Sequence, residues 1–289
     1  MLGGYVDEVA GIPLIQACLD NGINFIDTAD IYGGGRSEEI IGKAIKGRRQ
    51  EAIVTTKIGG PIGKGPNERG SSRKHLIDGI EASLKRLQTD YIDVYLIHFW
   101  DPETPLDETL STLDQAVKQG KIRYIGCSNH SAWQLCKALW VSDKLGLERF
   151  EVVQPVYNFM DRSIEKELLP LCQDQNVAVT PYQILMGGMF TGKYQPDQPP
   201  PAGSRIAARP AMKERMFKES IFGAAREVEK IGAASGLTPT QVVIGWALAS
   251  LAITSVIVGA SRIEQVKANA RPEEIKLSKE QIDACNKLM

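Results

Sequence analysis

The chain has 289 residues, 43% of them apolar and 24% charged, with a formal net charge of -1. That is enough apolar material for one large core, and the near-neutral charge gives no field to gather nucleic acid or an anionic membrane surface. Neither a membrane-length apolar run nor a basic, apolar leader is visible, so a cytoplasmic protein is the expectation. The five cysteines are widely spaced, odd in number and form no CxxC, which reads as reduced thiols.

In chain order, short runs rich in β-branched residues alternate with amphipathic stretches. Strands are predicted over 24–28, 52–57, 93–98, 123–128, 152–158, 177–182 and 255–259. Several are apolar throughout, the pattern of parallel strands buried on both faces. Helices are predicted over 7–21, 37–46, 72–87, 106–119, 131–144, 163–175, 213–234, 238–250 and 263–270, with a tail helix over 278–288. Their ends carry Ser or Thr at starts and Gly at stops, Ser37 being read as one such cap.

This alternation implies an α/β fold with a parallel sheet and helical crossovers. A (β/α)8 TIM barrel is favoured over a doubly wound sheet. Polar residues close several successive strands, and no GxGxxG follows the first one. Seven strands are found rather than eight. Only residues 1–6 precede the first helix, which predicts a stunted or missing first strand and N-terminal hairpin. The whole of 1–289 is read as one domain. The Pro- and Gly-rich segment 195–210 is a long loop, either a lid or a surface excursion.

Three successive strand ends carry groups that packing has no use for. The first ends in Phe-Ile-Asp27-Thr-Ala-Asp-Ile-Tyr32-Gly, the next in Val-Thr-Thr-Lys57, the third in Leu-Ile-His98-Phe-Trp. Together they suit carbonyl reduction. A tyrosine of ordinary pKa near 10 is a poor proton donor, and an ammonium such as that of Lys57 brings it towards working pH. Asp27 would hold Lys57 charged, and His98 would orient the carbonyl oxygen. Trp100 is read as an exposed wall near this mouth or as packing under the turn that follows. His75 and His130 lack metal-ligand spacing and are assigned to the surface or loops.

The run Phe-Ile-Asp27-Thr-Ala-x-x-Tyr32-Gly, followed by Lys57 and His98 at strand ends, resembles the aldo-keto reductases. Further segments match in order from Gly3 nearly to the end of the chain. The resemblance implies NADPH as cofactor. Gly-Cys-Ser128-Asn129 and Gln154 would then hold the carboxamide, and Tyr182 would stack on the nicotinamide. Gly192 and Lys193 would lie near the pyrophosphate. Gly259, Ser261, Arg262, Gln265 and Asn269 would take the adenine and 2′-phosphate. The 259–269 segment also reads independently as a strand, a glycine and a helix start, a common phosphate seat, where Arg262 would select NADPH over NADH. Gln183 stands where the family usually has Ser, and Ile184-Leu185-Met186-Gly-Gly replaces its usual Pro-Leu-Ala-Gly-Gly. Gln183 and Leu185 remain expected cofactor contacts.

The expected activity is NADPH-dependent reduction of a small aldehyde or ketone, without metal, with homo-oligomerisation left open. One rival is an NADPH-binding regulatory subunit of the channel-associated kind, with little turnover. The other is an inactive, truncated barrel, motivated by the missing strand.

Overall fold

A computed structural model describes residues 2–4, 6–270 and 275–288. In chain order the elements begin α1 (Glu8–Asp20), β1 (Phe25–Asp27), α2 (Arg36–Ala44), β2 (Ile53–Ile58), α3 (Arg73–Leu87) and β3 (Ile92–Ile97). Next come α4 (Leu106–Lys118), β4 (Ile122–Ser128), α5 (Ala132–Leu145), β5 (Phe150–Gln154), α6 (Leu168–Gln175) and β6 (Ala178–Val179). The remainder is helical: α7 (Pro210–Met216), α8 (Glu219–Ala233), α9 (Pro239–Leu248), α10 (Ile263–Asn269) and α11 (Lys279–Asn286). They fall into two compact units.

The first unit comprises Met1–Pro155, Glu167–Val179 and Gly259–Ala270. Its six strands are all parallel, and their order across the sheet is their order in the chain. A doubly wound sheet reverses direction at a switch point, and this one does not. The sheet is also strongly curled. Gln154 closes β5 and Asp27 closes β1, four strands away, about 19 Å apart in a flat sheet. Yet Gln154 Nε2 donates to Asp27 Oδ1 over 2.9 Å. Sequential order and curl together are the barrel arrangement, and they gather the strand ends at one point. Burial follows: Val54, Leu96 and Val153 have no exposed surface, each contributing about 1.5–3 kcal/mol of apolar transfer. At Gly126 the register of β4 on β5 shifts, and a Cβ there would sit 2.2 Å from the Val152 carbonyl oxygen, so only glycine allows the close approach.

The second unit comprises Val156–Lys166, Thr180–Val258 and Arg271–Met289. Its core is aromatic: the rings of Tyr157 and Trp246 stack at 4.8 Å, and Phe159 lies against Trp246 at 4.2 Å. Trp246 Nε1 donates to Asn286 Oδ1, fixing α11. Segment 195–209 forms turns but is anchored, because Ile206 is buried with Tyr194, Met189 and Phe222.

Several predicted boundaries are corrected. Proline explains two: Pro155 ends the predicted 152–158 strand at Gln154, and Pro181 cuts 177–182 to two residues. Residues 255–259 form no strand, although Ile257 N–H donates to the Pro181 carbonyl. Helix 213–234 breaks at Phe217, whose ψ of 71° leaves the helical region. Helix 163–175 becomes a 3₁₀ turn, Ser163–Glu165, followed by α6 with Pro170 in its first turn. The cap of α2 is Gly35, left-handed at φ 92°, while Ser37 Oγ accepts from Thr28 Oγ1 instead. At the predicted first strand, Leu2 and Val6 form only an isolated bridge around a turn. Met1 and Tyr5 lie outside the described residues.

Candidate active site

Strands β1 and β2 lie side by side with Asp27 opposite Thr55, and this brings Lys57 back towards Asp27. The Lys57 side chain is 0% exposed. A buried ammonium survives only when its donors are satisfied. Here Nζ donates to both Asp27 oxygens, at 2.7 and 2.8 Å, and to the Thr28 carbonyl at 2.7 Å. Tyr32, partly buried in the turn after β1, places its ring centroid 5.2 Å from Nζ. Its turn is closed by the Ser37 N–H, which donates to the Tyr32 carbonyl.

His98 follows β3, and its N–H donates to Ile58 of β2 at 2.7 Å. Its ring meets the Tyr32 ring edge-on with centroids 6.0 Å apart. Burial, and then the positive charge of Lys57, push His98 down to about 3. The imidazole is therefore neutral at neutral pH and has one N–H to offer. Its Nδ1 is buried without a hydrogen-bond partner, an uncommon state for an interior polar atom.

The ends of β4 and β5 join the same network. Asn129 Nδ2 donates to the His98 carbonyl at 3.0 Å and to Ser128 Oγ at 3.1 Å, while Ser128 Oγ donates to the Gln154 carbonyl at 2.7 Å. Gln154 itself braces Asp27, a contact between residues so far apart in sequence that no local pattern signals it.

Gly259, Ser261, Arg262, Gln265 and Asn269 also belong to the first unit, on and before α10. There Ser261 N (2.9 Å), Ser261 Oγ (3.3 Å) and Arg262 N (3.3 Å) converge on one acceptor, Gln265 Oε1. This is the capping box of α10, in which the Gln265 amide satisfies the free backbone donors at the helix start. The helix is held from beneath by Val266, buried with Val6 and Leu14.

In the second unit, Tyr182 bridges Val156, and its carbonyl accepts from Tyr157 N–H. Gln183 and Leu185 then lead into a 3₁₀ turn, Met186–Thr191, which ends at left-handed Gly192. The Lys193 ammonium lies 5.1 Å from the Tyr194 ring centroid.

Among the described residues, five non-glycines have positive φ. Two, Gln88 and Asn176, are helix C-caps, where this conformation is ordinary. The other three are Asn129, Gln183 and Met186, at or beside positions matched to cofactor contacts. Strain of this kind concentrates at functional sites.

Two aromatic expectations are corrected. The exposed ring beside His98 is Phe99, stacked on it at 4.4 Å and 45% exposed. Trp100 turns the other way, edge-on to His130 and Trp133, because consecutive residues on an extended segment face opposite sides. His75 and His130 are both buried; His75 lies in α3, whereas His130 lies in the loop between β4 and α5, with Nδ1 2.9 Å from the Ser128 carbonyl.

A family model described as "Aldo/keto reductase family" matches residues 1–289. The chain belongs to the aldo/keto reductase family. The family generally uses NAD(P)H and acts on small carbonyl substrates. A probable voltage-gated potassium channel subunit beta of Arabidopsis thaliana is 36% identical over 94% of this chain and 84% of that protein. An aryl-alcohol dehydrogenase of Pestalotiopsis microspora is 33% identical over 99% of this chain and 74% of its own length. The solved glycerol dehydrogenase of Gluconobacter oxydans superposes with a TM-score of 0.82 at 31% identity, covering 96% of this chain and 84% of that one. The fold class is accordingly α/β, of the (β/α)8-barrel type. No helix among the described residues is long and apolar enough to cross a membrane.

Proposed function

We propose that this aldo/keto reductase reduces small aldehydes or ketones to alcohols with NADPH, with Tyr32 as the general acid. The observation that carries this reading is the division of labour among four side chains. Asp27 and Lys57 are committed to one another and to backbone. His98 is held neutral and is no imidazolium donor. Of the four, Tyr32 is the one left to give up a proton, and its ring lies beside both Lys57 and His98.

Bound NADPH would supply the hydride to the carbonyl carbon. Ser128, Asn129 and Gln154 would hold its carboxamide, and Gly259, Ser261, Arg262, Gln265 and Asn269 its 2′-phosphate and adenine. The oxygen that Gln265 now offers to Ser261 and Arg262 would give way to a phosphate oxygen. Tyr182, Gln183, Leu185, Gly192 and Lys193 keep the cofactor assignments that the family resemblance gives them. Tyr32 passes its phenolic proton to the developing alkoxide. The Lys57 ammonium stabilises the phenolate left behind, and Asp27, braced by Gln154, keeps that ammonium in place. His98 offers its one N–H to the carbonyl oxygen.

The test is NADPH consumption with 4-nitrobenzaldehyde, beside Tyr32→Phe. We expect the variant to lose about 10²- to 10⁴-fold in turnover, with NADPH affinity by fluorescence titration unchanged. Full turnover in Tyr32→Phe would remove Tyr32 from the acid role.

The Arabidopsis relative named as a channel subunit favours a second reading, an NADPH-binding subunit with little turnover. Tight NADPH binding without consumption of any aldehyde, and stable co-purification with a larger partner, would favour it.

A further inference from the structure

Behind the Lys57–Asp27 pair lies a second buried set of charges that the proposed mechanism does not use. Asp30 stands between Asp27 and Tyr32 in the same turn, and its N–H donates to the Lys57 carbonyl at 3.1 Å. Its side chain is almost fully buried, and Oδ1 has no hydrogen-bond partner. Glu38, at the start of α2, has no exposed surface but is fully engaged. It accepts from Thr56 Oγ1 of β2 and from Arg86 Nε of α3, both at 2.6 Å. The groups facing Asp30 are therefore Glu38 from α2, Arg86 from α3, Lys57 from β2 and the buried Tyr95 hydroxyl from β3.

These two carboxyls differ in a way that matters. Glu38 has a cation and a hydroxyl to hold its charge. Asp30 has neither within bonding distance of Oδ1, and a lone interior carboxylate is costly. Burial first, then repulsion from Glu38, push Asp30 up to about 7, against smaller pulls from the Ile31 N–H, Arg86 and Lys57. Its charge therefore changes in the neutral range, within electrostatic reach of Lys57.

We propose that Asp30 is a positioning residue of this centre, whose carboxyl sets through its own charge how strongly the Lys57 ammonium acts on Tyr32. This inference rests on the reductase reading of Tyr32. When Asp30 is neutral, the Lys57 ammonium answers to Asp27 alone, and its field favours loss of the Tyr32 proton. When Asp30 is ionised, a second carboxylate offsets that field, and Tyr32 keeps its proton to higher pH. Asp30→Asn fixes the first state at every pH, and Asp30→Glu keeps an ionisable group.

The decisive readout needs no turnover. The tyrosinate absorption of Tyr32 is isolated as the difference between the chain and its Tyr32→Phe variant, then recorded against pH with Asp30 native, Asn or Glu. We expect the Tyr32 signal to develop at lower pH with Asn and to return towards native with Glu. An unmoved Tyr32 signal in Asp30→Asn overturns the proposal. Should the Asn variant not fold, the native chain is labelled with ¹³C-aspartate and ¹³C-tyrosine. One aspartate carboxyl should titrate near pH 7, and the Tyr32 resonance should follow the same midpoint. A Tyr32 resonance flat across that range again overturns it. Turnover of 4-nitrobenzaldehyde separates the two readings. If native and variant both lack turnover while the Tyr32 signal moves, the reductase reading fails and the coupling stands. If turnover is present and the alkaline limb of kcat is identical in Asp30→Asn, the coupling fails and the reductase reading stands.

Discussion

Two ion pairs of the first unit, Arg49–Asp93 and Lys57–Asp27, lie at opposite ends of its sheet and are built for different ends. Where β2 and β3 begin, Arg49 spends its donors on Thr89 Oγ1, the Ala52 and Tyr91 carbonyls and Asp93 Oδ2, while Val54 N–H donates to that same carboxylate. The Tyr91 ring is flanked by the Arg49 and Arg123 guanidinium groups at 3.9 and 4.2 Å. Where the same strands finish, Lys57 and Asp27 are more deeply buried, and around them Asp30 Oδ1 and His98 Nδ1 are left without partners. The first pair is a closed clamp. The second sits among unmet polar demand, which costs stability and is tolerated where chemistry needs it. In barrels of this type the strands' C-terminal ends carry function and their N-terminal ends stability.

The sharpest way to break the contrast is Lys57→Met. Removing one partner of a buried pair strands the other, so the Asp27 carboxylate would face the interior with only the Gln154 amide. We expect a loss of about 3–5 kcal/mol in unfolding free energy by denaturant titration, together with loss of aldehyde turnover. Unchanged stability would mean that water reaches Asp27 and that the pair is not interior in solution.

Much of this centre was legible because charge at the end of an apolar run is conspicuous. Asp27, Lys57 and His98 interrupt sequences that otherwise read as buried strand, and the fold brings them together with Tyr32. Asp30 and Glu38 escaped notice for the converse reason: one lies in a polar, Gly-rich turn and the other in the first turn of α2, where an acid looks solvated. Only three-dimensional packing puts Thr56, Arg86 and Tyr95 over them. The Gln154–Asp27 contact depends on the curl of the sheet, which no strand carries alone. That Phe99 rather than Trp100 is the exposed ring on His98 was not legible, because a run of three aromatics does not reveal which way its backbone faces. The predicted strands at 177–182 and 255–259 are apolar enough for β structure, but Pro181 removes a ladder donor from the first, and the second meets it through the Ile257 N–H on the Pro181 carbonyl without forming a strand.

A smaller effect should appear in the acid stability of the unpartnered end. His98 has a folded value near 3 and an ordinary value of 6.5. Between these the unfolded chain binds a proton that the folded chain refuses, so stability is full above about pH 6.5 and falls as pH drops towards 3. At 1.36 kcal/mol per unit of pH, about 2 kcal/mol is lost by about pH 5. Asp30 acts with the opposite sign. Its folded value is raised from 3.8 to about 7, so its stabilising contribution is present at low pH and is lost as pH rises through that window. The two slopes oppose each other in the native chain. In an Asp30→Asn background the opposing slope is gone, and His98, together with His75 and His130, whose values burial also lowers, should make unfolding at pH 5 and pH 7 differ by at least that amount. A flat profile there would place His98 in contact with solvent.

The smallest effect belongs to the closed clamp. Asp93→Asn keeps the shape and one acceptor oxygen, so Arg49 retains its bonds to Thr89, Ala52 and Tyr91 and loses only the charge opposite one nitrogen. Both side chains are about 15% exposed, so water screens part of that loss. We expect about 1–2 kcal/mol by denaturant titration, with kcat and KM for the aldehyde unaltered. The prediction is demanding because the Val54 N–H that donates to Asp93 begins the same strand that Lys57 helps to close. If the clamp merely holds the strand's start, the change stops there. If turnover fell while the unfolding free energy held, strain would be passing along β2 from one end to the other, and the division of the sheet into a structural and a chemical end would fail.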